Sequence, residues 1–342
     1  WGLINNNPPD VAGSIDRPMK PNTVPPDSTH PAGPPHHCGW RTWRDRLLLQ
    51  EDLNFLLTNR IPRITATRLM GWYSGLRSPW LTALSIRIWR AFSDLDLSES
   101  RQQHFNSLQE CFTRELVAGA RPVDARPELL TSPSDAIVGA CGRVQGNQLF
   151  QAKGFPYALE ELFGPSQDPA DFRDGVYVTL RLTSAMYHRF HAPQDGRLQH
   201  VTYLSGDTWN VNPIALKRVE KLFCRNERAV LRLRLDRGGH PIALVPVAAV
   251  LVASLRLHAL DVLLHLRWKG PNELPVPADR AAFRKGEELG WFQHGSTIIV
   301  FAPPGFELCE GIAAGARLKM GQPLLRWPQT ATPASHGGAT LG

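Results

Sequence analysis

From about Pro122 onward the apolar residues arrive in short runs cut by Gly, Pro and Asp, and this texture limits the fold more than any other feature of the chain. The runs are Ala136 to Val144, Gln148 to Ala152, Gly175 to Leu182, His200 to Tyr203, Ala229 to Leu235, Ile242 to Leu257, Val262 to Trp268 and Thr297 to Phe301. Runs bounded by turn formers and rich in β-branched and aromatic residues make strands. A predominantly antiparallel β domain is therefore predicted over residues 121–327, closing with glycine turns from Gly305 to Leu324.

Upstream the texture is helical. Leu47, Leu48, Leu49, Leu53, Leu56 and Leu57 form one amphipathic stretch that ends before Pro62, and Ile64 to Tyr73 and Pro79 to Phe92 form two more. In the last, Trp80, Leu84, Ile88 and Trp89 recur near helical spacing among Arg77, Arg87 and Arg90. Such a helix either packs on the protein's own core or lies in the plane of a membrane. In the second case Trp72, Trp80 and Trp89 sit at headgroup depth and arginines such as Arg87 meet anionic lipid. The two roles are compatible on different faces. Asp94 to Ala120 adds two short helices around Phe105 to Leu116. The expected fold is thus α+β: N-terminal amphipathic helices, then a predominantly antiparallel β catalytic domain. The expected domains are a disordered proline-rich tail over 1–40, a helical membrane-associating region over 41–120, the β domain over 121–327 and a disordered tail over 328–342.

The net charge of +7 is not gathered into a Lys/Arg run that could track nucleic acid, so a nucleic-acid partner is not expected. Much of it lies between Arg41 and Arg90 among Trp and Leu, which suits an anionic membrane surface. The five cysteines (Cys38, Cys111, Cys141, Cys224, Cys309) are scattered without CxxC spacing, so neither a disulfide framework nor a zinc site is expected. The first forty residues lack the apolar core of a secretory signal. The longest apolar run, Ile242 to Leu255, is too short to span a bilayer and carries Pro246. There is no phosphate-binding glycine loop and no metal-ligand constellation.

Three stretches carry chemistry. Gln293-His294-Gly295-Ser296-Thr297 leads into an apolar β-branched run; a glycine before a serine leaves the acyl side without a Cβ, so a hydroxyl can reach its carbonyl. Met186 to Pro193 supplies His188 and His191, and Ser132-Pro133-Ser134-Asp135 supplies an aspartate. Together they hold the parts of a nucleophile-activating triad.

Tyr187-His188-Arg189-Phe190-His191-Ala192-Pro193, with Lys285-Gly286-Glu287-Glu288-Leu289-Gly290 leading to Gly295-Ser296-Thr297, closely resembles the phosphatidylserine decarboxylases, pyruvoyl-dependent, self-processing membrane enzymes. More of that family's pattern follows in order: Arg121-Pro122-Val123-Asp124, Gln151-Ala152-Lys153-Gly154, Gly206-Asp207, Leu222 to Arg228 and Lys319 to Leu324. The resemblance runs from about residue 48 to 326. It implies that Asp135 orients and charges His191, that His191 takes the proton of Ser296, and that the Ser296 hydroxyl attacks the Gly295 carbonyl. Elimination from the resulting ester cuts the chain between 295 and 296 and leaves a covalent pyruvate (pyruvoyl) group derived from Ser296 at the head of the small chain. That group forms a Schiff base with the substrate amine and takes up the electrons released with CO2. His188 is the candidate for proton handling and for contact with the substrate carboxylate.

The resemblance further implies phosphatidylserine as substrate, phosphatidylethanolamine as product, large and small chains from one precursor, a homodimer, and a peripheral place on the cytoplasmic side of the cell membrane. A decarboxylase of a related serine-headed lipid, an unprocessed lipid-binding homologue and a true serine hydrolase are the alternatives.

Overall fold

A computed structural model describes residues 62–150, 155–251, 254–265, 268–293 and 297–328. The two expected tails, save Pro328, the leucine-rich stretch before Pro62, and Gly295 and Ser296 themselves lie outside the described residues. All described residues belong to one compact unit, Asp45–Gly342; the other, Trp1–Arg44, lies wholly outside them. The fold is α+β, with mostly antiparallel sheet.

The strand Thr297–Ala302 sits in the middle of a nine-stranded sheet and is buried along its whole length. Side chains alternate across a strand, and here both faces meet a core. Ile298, Val300 and Ala302 enter one cluster, Ile299 and Phe301 the other. A strand covered on both sides has no solvent face to fill, which is why Ile298 to Ala302 is an unbroken apolar run. The sheet order is Glu273–Pro275, Gly196–Leu204, Arg228–Leu235, Pro241–Val247, Thr297–Ala302, Val176–Arg181, Ala136–Arg143 and Arg317–Leu318, with Ala282–Phe283 also on Gly196–Leu204. All these pairings are antiparallel.

A four-stranded sheet covers one face, in the order Val262–His265, Ser254–Leu257, Glu288–Phe292, Arg189–His191. Its Phe190, Leu257, Leu264 and Phe292 join the core that holds Ile298 and Val300. Short helices cover the other face through Leu159, Leu162, Phe163, Leu216, Leu222 and Phe223. Each such fully buried side chain is worth roughly 1.5–3 kcal/mol.

The predicted apolar run from Ile242 to Leu257 divides into Pro241–Val247 and Ser254–Leu257, which belong to different sheets. Leu251, between them, takes a left-handed backbone (φ 66), and its N–H donates to Thr67 Oγ1 at 3.0 Å.

Helix α1 is Arg63–Ser74, α2 is Pro79–Phe92 and α3 is Leu108–Phe112. The first two fall where helical spacing predicts them. In place of the two short helices expected over 94–120, the described residues hold only α3. Its start is fixed by Ser107, whose hydroxyl accepts from the Glu110 N–H, and its end by Thr113, whose hydroxyl donates to the Gln109 carbonyl. The segment before it is tied to α2 instead, because Asn106 O accepts from Ser78 N–H and from the Thr82 hydroxyl. Helix α1 is latched to the β domain: Arg63 forks onto Asp207 (2.6 and 3.1 Å) and stacks over Trp209, 3.7 Å from the ring centre.

The two helices turn apolar residues outward. Ile64, Leu69 and Trp72 on α1, and Trp80, Leu84, Ile88 and Phe92 on α2, are all exposed, Trp80 to 72%. On α2 these recur every fourth residue and make one stripe, with the small polar Thr82 buried. Arg87 is exposed, whereas Trp89 turns inward and packs on Phe112 with ring centres 4.4 Å apart.

Candidate active site

Register brings the chemistry to one end of the large sheet. Thr297 lies opposite Arg181 on one side and Val247 on the other. Arg181 in turn lies opposite Ile137, and Ile137 opposite Arg317. Ser296 is the neighbour of Thr297 in sequence, and Asp135 stands two residues before Ile137. On the other side of residues 294–296, Gln293 is fixed to the four-stranded sheet. Its N–H donates to Ser254 O at 3.3 Å, and the Ser254 hydroxyl bonds its side-chain carbonyl. Residues 294–296 therefore join one sheet to the other.

Asp135 is buried and fully engaged. Arg121 forks onto its two oxygens at 2.7 and 2.6 Å, and the Met320 N–H donates to Oδ1 at 2.9 Å. Arg121 also holds Glu99 at 2.7 Å, so the aspartate is one end of a Glu99–Arg121–Asp135 ion network.

His191 is brought to the Asp135 turn through the backbone. Its N–H donates to Pro133 O at 2.8 Å, and Thr131 N–H donates to Pro193 O at 3.0 Å. The ring is held otherwise than the triad expectation has it. Nδ1 lies 2.9 Å from Gly286 O and so carries the proton, which leaves Nε2 to accept from the Tyr187 hydroxyl at 3.1 Å. Among the described residues Asp135 and His191 share no hydrogen bond; the carboxylate acts on the ring through space. Burial holds the His191 pKa below its ordinary value, with the Gly286 carbonyl and nearby Glu288 pulling the other way. The ring is thus a neutral base with a defined tautomer. Burial also raises the Tyr187 phenol, so it stays a donor. Gly286 presents its carbonyl from a left-handed backbone (φ 80), and a Cβ there would fall 2.6 Å from Val123 Cγ2.

His188 is fully buried. Its Nδ1 lies 3.3 Å from Phe112 O and its Nε2 3.1 Å from Thr183 O. Two carbonyls favour a doubly protonated ring, but burial and the Arg114 guanidinium oppose the charge and win, pushing the pKa down to about 3. The unfolded chain, with a histidine near 6.5, binds this proton first, so stability must fall as pH drops from about 6.5 toward 3. The expected His188 share is a slope of up to roughly 1.4 kcal/mol per pH unit, absent above the unfolded value. Urea titrations across that window check it, and His188→Gln should flatten the curve.

A cavity of about 570 Å³ opens at this same end of the sheet. Its walls are Arg181, Leu182, Thr183 and Ser184 after the strand, the Asn210–Asn212 and Ala249–Leu251 loops, and inward side chains of α1, α2 and α3 such as Tyr73, Trp89 and Phe112. Both carbonyls that face His188 belong to residues of this wall. Arg121, Tyr187, Gly286 and Arg181 were not assigned roles from sequence. The first three stand inside the family-like motifs, which was the available signal; Arg181 stands in none.

No helix among the described residues is long and apolar enough to cross a membrane. A family model described as phosphatidylserine decarboxylase matches residues 108–326. The phosphatidylserine decarboxylase proenzyme of Vibrio cholerae serotype O1 is 36% identical over 271 residues, covering 77% of this chain and 94% of that protein. The proenzyme of the same name from Salmonella arizonae is 34% identical over 278 residues, covering 77% and 84%. That from Vibrio parahaemolyticus is 36% identical over 271 residues, covering 77% and 94%. This chain belongs to the phosphatidylserine decarboxylase family of carboxy-lyases.

Proposed function

We propose that this protein is a proenzyme that cuts itself between Gly295 and Ser296 and then decarboxylates phosphatidylserine to phosphatidylethanolamine. The observation that carries this reading is the gathering, at one sheet end, of Asp135, the His191 backbone turn and the start of the Thr297 strand beside a cavity.

In the cleavage step neutral His191 takes the Ser296 proton at Nε2, displacing the Tyr187 hydroxyl. The Ser296 oxygen adds to the Gly295 carbonyl, and the peptide nitrogen leaves as the free amine of residue 296. Asp135 acts on this step as a fixed negative charge near the ring that favours the imidazolium as it forms, held in place by Arg121 and the Met320 N–H. Loss of the residue 296 Cα proton expels the Gly295 carboxylate, and water then replaces the nitrogen, released as ammonia.

The pyruvoyl group so formed supplies a ketone for the substrate amine and an electron sink for the departing CO2. The surroundings suit it: the 570 Å³ cavity is walled by Arg181, which lies opposite Thr297 in the sheet, with the neutral His188 just behind its Phe112 and Thr183 walls. We assign to His188 the proton that replaces CO2. The Thr297 strand is paired on both edges, which supports the two chains staying together after the cut. Intact mass under denaturing conditions, with a carbonyl-reactive tag, tests the reading. Two chains split after Gly295 with a carbonyl on the smaller one are expected; a single untagged chain that turns over ester probes would replace it with a serine hydrolase.

The outward stripe of α1 and α2 supports a peripheral place on an anionic membrane, at the cytoplasmic face of the cell membrane. A diacyl substrate stays in the bilayer, so the cavity beneath those helices must meet the surface. The pair Trp80→Glu and Ile88→Glu is expected to weaken binding to vesicles containing phosphatidylglycerol by roughly tenfold or more, with cleavage intact. Unchanged co-sedimentation would reject the anchor. A homodimer is the assembly proposed, to be read by sedimentation equilibrium.

A further inference from the structure

We propose that Arg181 is the residue that receives the phosphodiester of the lipid headgroup and so sets which anion the site accepts. The proposal rests on the decarboxylase reading above for the identity of the ligand.

Arg181 ends the strand Val176–Arg181 and lies directly opposite Thr297. Opposite residues of an antiparallel pair sit about 4.5–5.5 Å apart at Cα and point to the same face. Residue 296, the proposed pyruvoyl position, is the next residue along the chain. Arg181 also lines the cavity that the proposed function gives to the substrate.

Its electrostatic state sets it apart. The other arginines drawn into this protein are compensated: Arg121 by Asp135 and Glu99, Arg189 by Glu288, and Arg228 by the carbonyls of Glu161, Leu162, Cys224 and Asn226. Arg114 donates to the carbonyls of Cys111 and Ala185. Among the described residues the Arg181 guanidinium has no hydrogen bond and no ion pair. The charged side chain nearest in its cross-strand row is another cation, Arg317. Burial and that neighbour both work against its charge. A half-buried cation at the wall of a largely apolar cavity is costly until an anion arrives.

The lipid offers two anions, and the chemistry chooses between them. The carboxylate must lose its charge as CO2 leaves, so a guanidinium on it would stabilise the ground state more than the transition state. The phosphodiester keeps its charge throughout, and a cation there binds substrate and transition state alike. A guanidinium fork also matches phosphate oxygens.

The test separates binding from turnover. In the uncut Ser296→Ala protein, short-chain phosphatidylserine and phosphatidylethanolamine are titrated by calorimetry with and without Arg181→Gln. The second lipid lacks the carboxylate and keeps the phosphodiester. Both affinities are expected to fall roughly 10- to 100-fold, the span of a lost charge-assisted contact, with Arg181→Lys between. In the otherwise native chain Arg181→Gln should cleave as before, with KM raised by a similar factor and kcat within a few-fold. Unchanged affinity for phosphatidylethanolamine, whether or not phosphatidylserine binding falls, overturns the proposal. Arg181-dependent binding of both lipids by a protein that never decarboxylates would uphold the site and remove the activity.

Discussion

Ser296→Ala is expected to yield one uncut chain of 38.1 kDa with no decarboxylase activity, because it removes the hydroxyl that is the proposed nucleophile of the cut and the oxygen that must leave from the ester before a pyruvoyl group can form. The loss should be complete rather than partial. A neighbouring hydroxyl cannot take over: Thr297 Oγ1 is buried at the head of a strand paired on both edges, and alternation along that strand aims it into the core beside Ile299. The substitution should cost little stability, since the six residues from Thr297 to Ala302 that anchor the segment are untouched. Denaturing intact mass and a thermal melt check both halves of this expectation. A variant that still splits between 295 and 296 would reject Ser296 as the nucleophile, and a variant that unfolds is to be replaced by Ser296→Cys, which should cut more slowly.

How legible the site was depends on the range over which its contacts act. The strand Thr297–Ala302 and helices α1 and α2 could be read locally, because strand runs and helical spacing are local patterns tied to burial on two faces or one. The motifs around Asp135, His188 and His191 could be read as a family resemblance. The contacts that define their chemistry could not. Met320 reaches Asp135 across 185 positions, and Gly286 reaches His191 across 95. A triad pattern predicts that aspartate meets imidazole; the fold instead gives the aspartate to Arg121 and the imidazole to a backbone carbonyl and a phenol. Trp89 could not be separated from Trp80 by spacing, because only the position of Phe112 decides which of the two turns inward. Arg181 was hidden for a simpler reason: an arginine closing a strand reads as a solvated end, and only the lack of a carboxylate partner among the described residues makes it a candidate.

His188→Ala, and the better-filling His188→Gln, are expected to leave chain cleavage near normal and to lower turnover roughly 100-fold or more, the usual scale for a lost general acid or base. The separation follows from geometry. His191 and Asp135 engage the turn at Ser132 to Asp135, Gly286 and Met320, while His188 engages Phe112 and Thr183, both of the cavity wall. In the proposed division of labour, cleavage draws on the first set and proton delivery to the substrate on the second. The burial that pushes the His188 pKa down to about 3 opposes proton donation at neutral pH, and the substrate is expected to offset it. A phospholipid headgroup brings negative charge into that space, and an opposite charge favours the imidazolium that burial disfavours. The pH dependence of kcat/KM reports the free enzyme and that of kcat the loaded one. The His188 limb should therefore lie higher in kcat than in kcat/KM, and it should vanish from both in His188→Gln. Equal loss of cleavage and turnover in both variants would mean that His188 supports the fold of the whole sheet end, and the division of labour would fall.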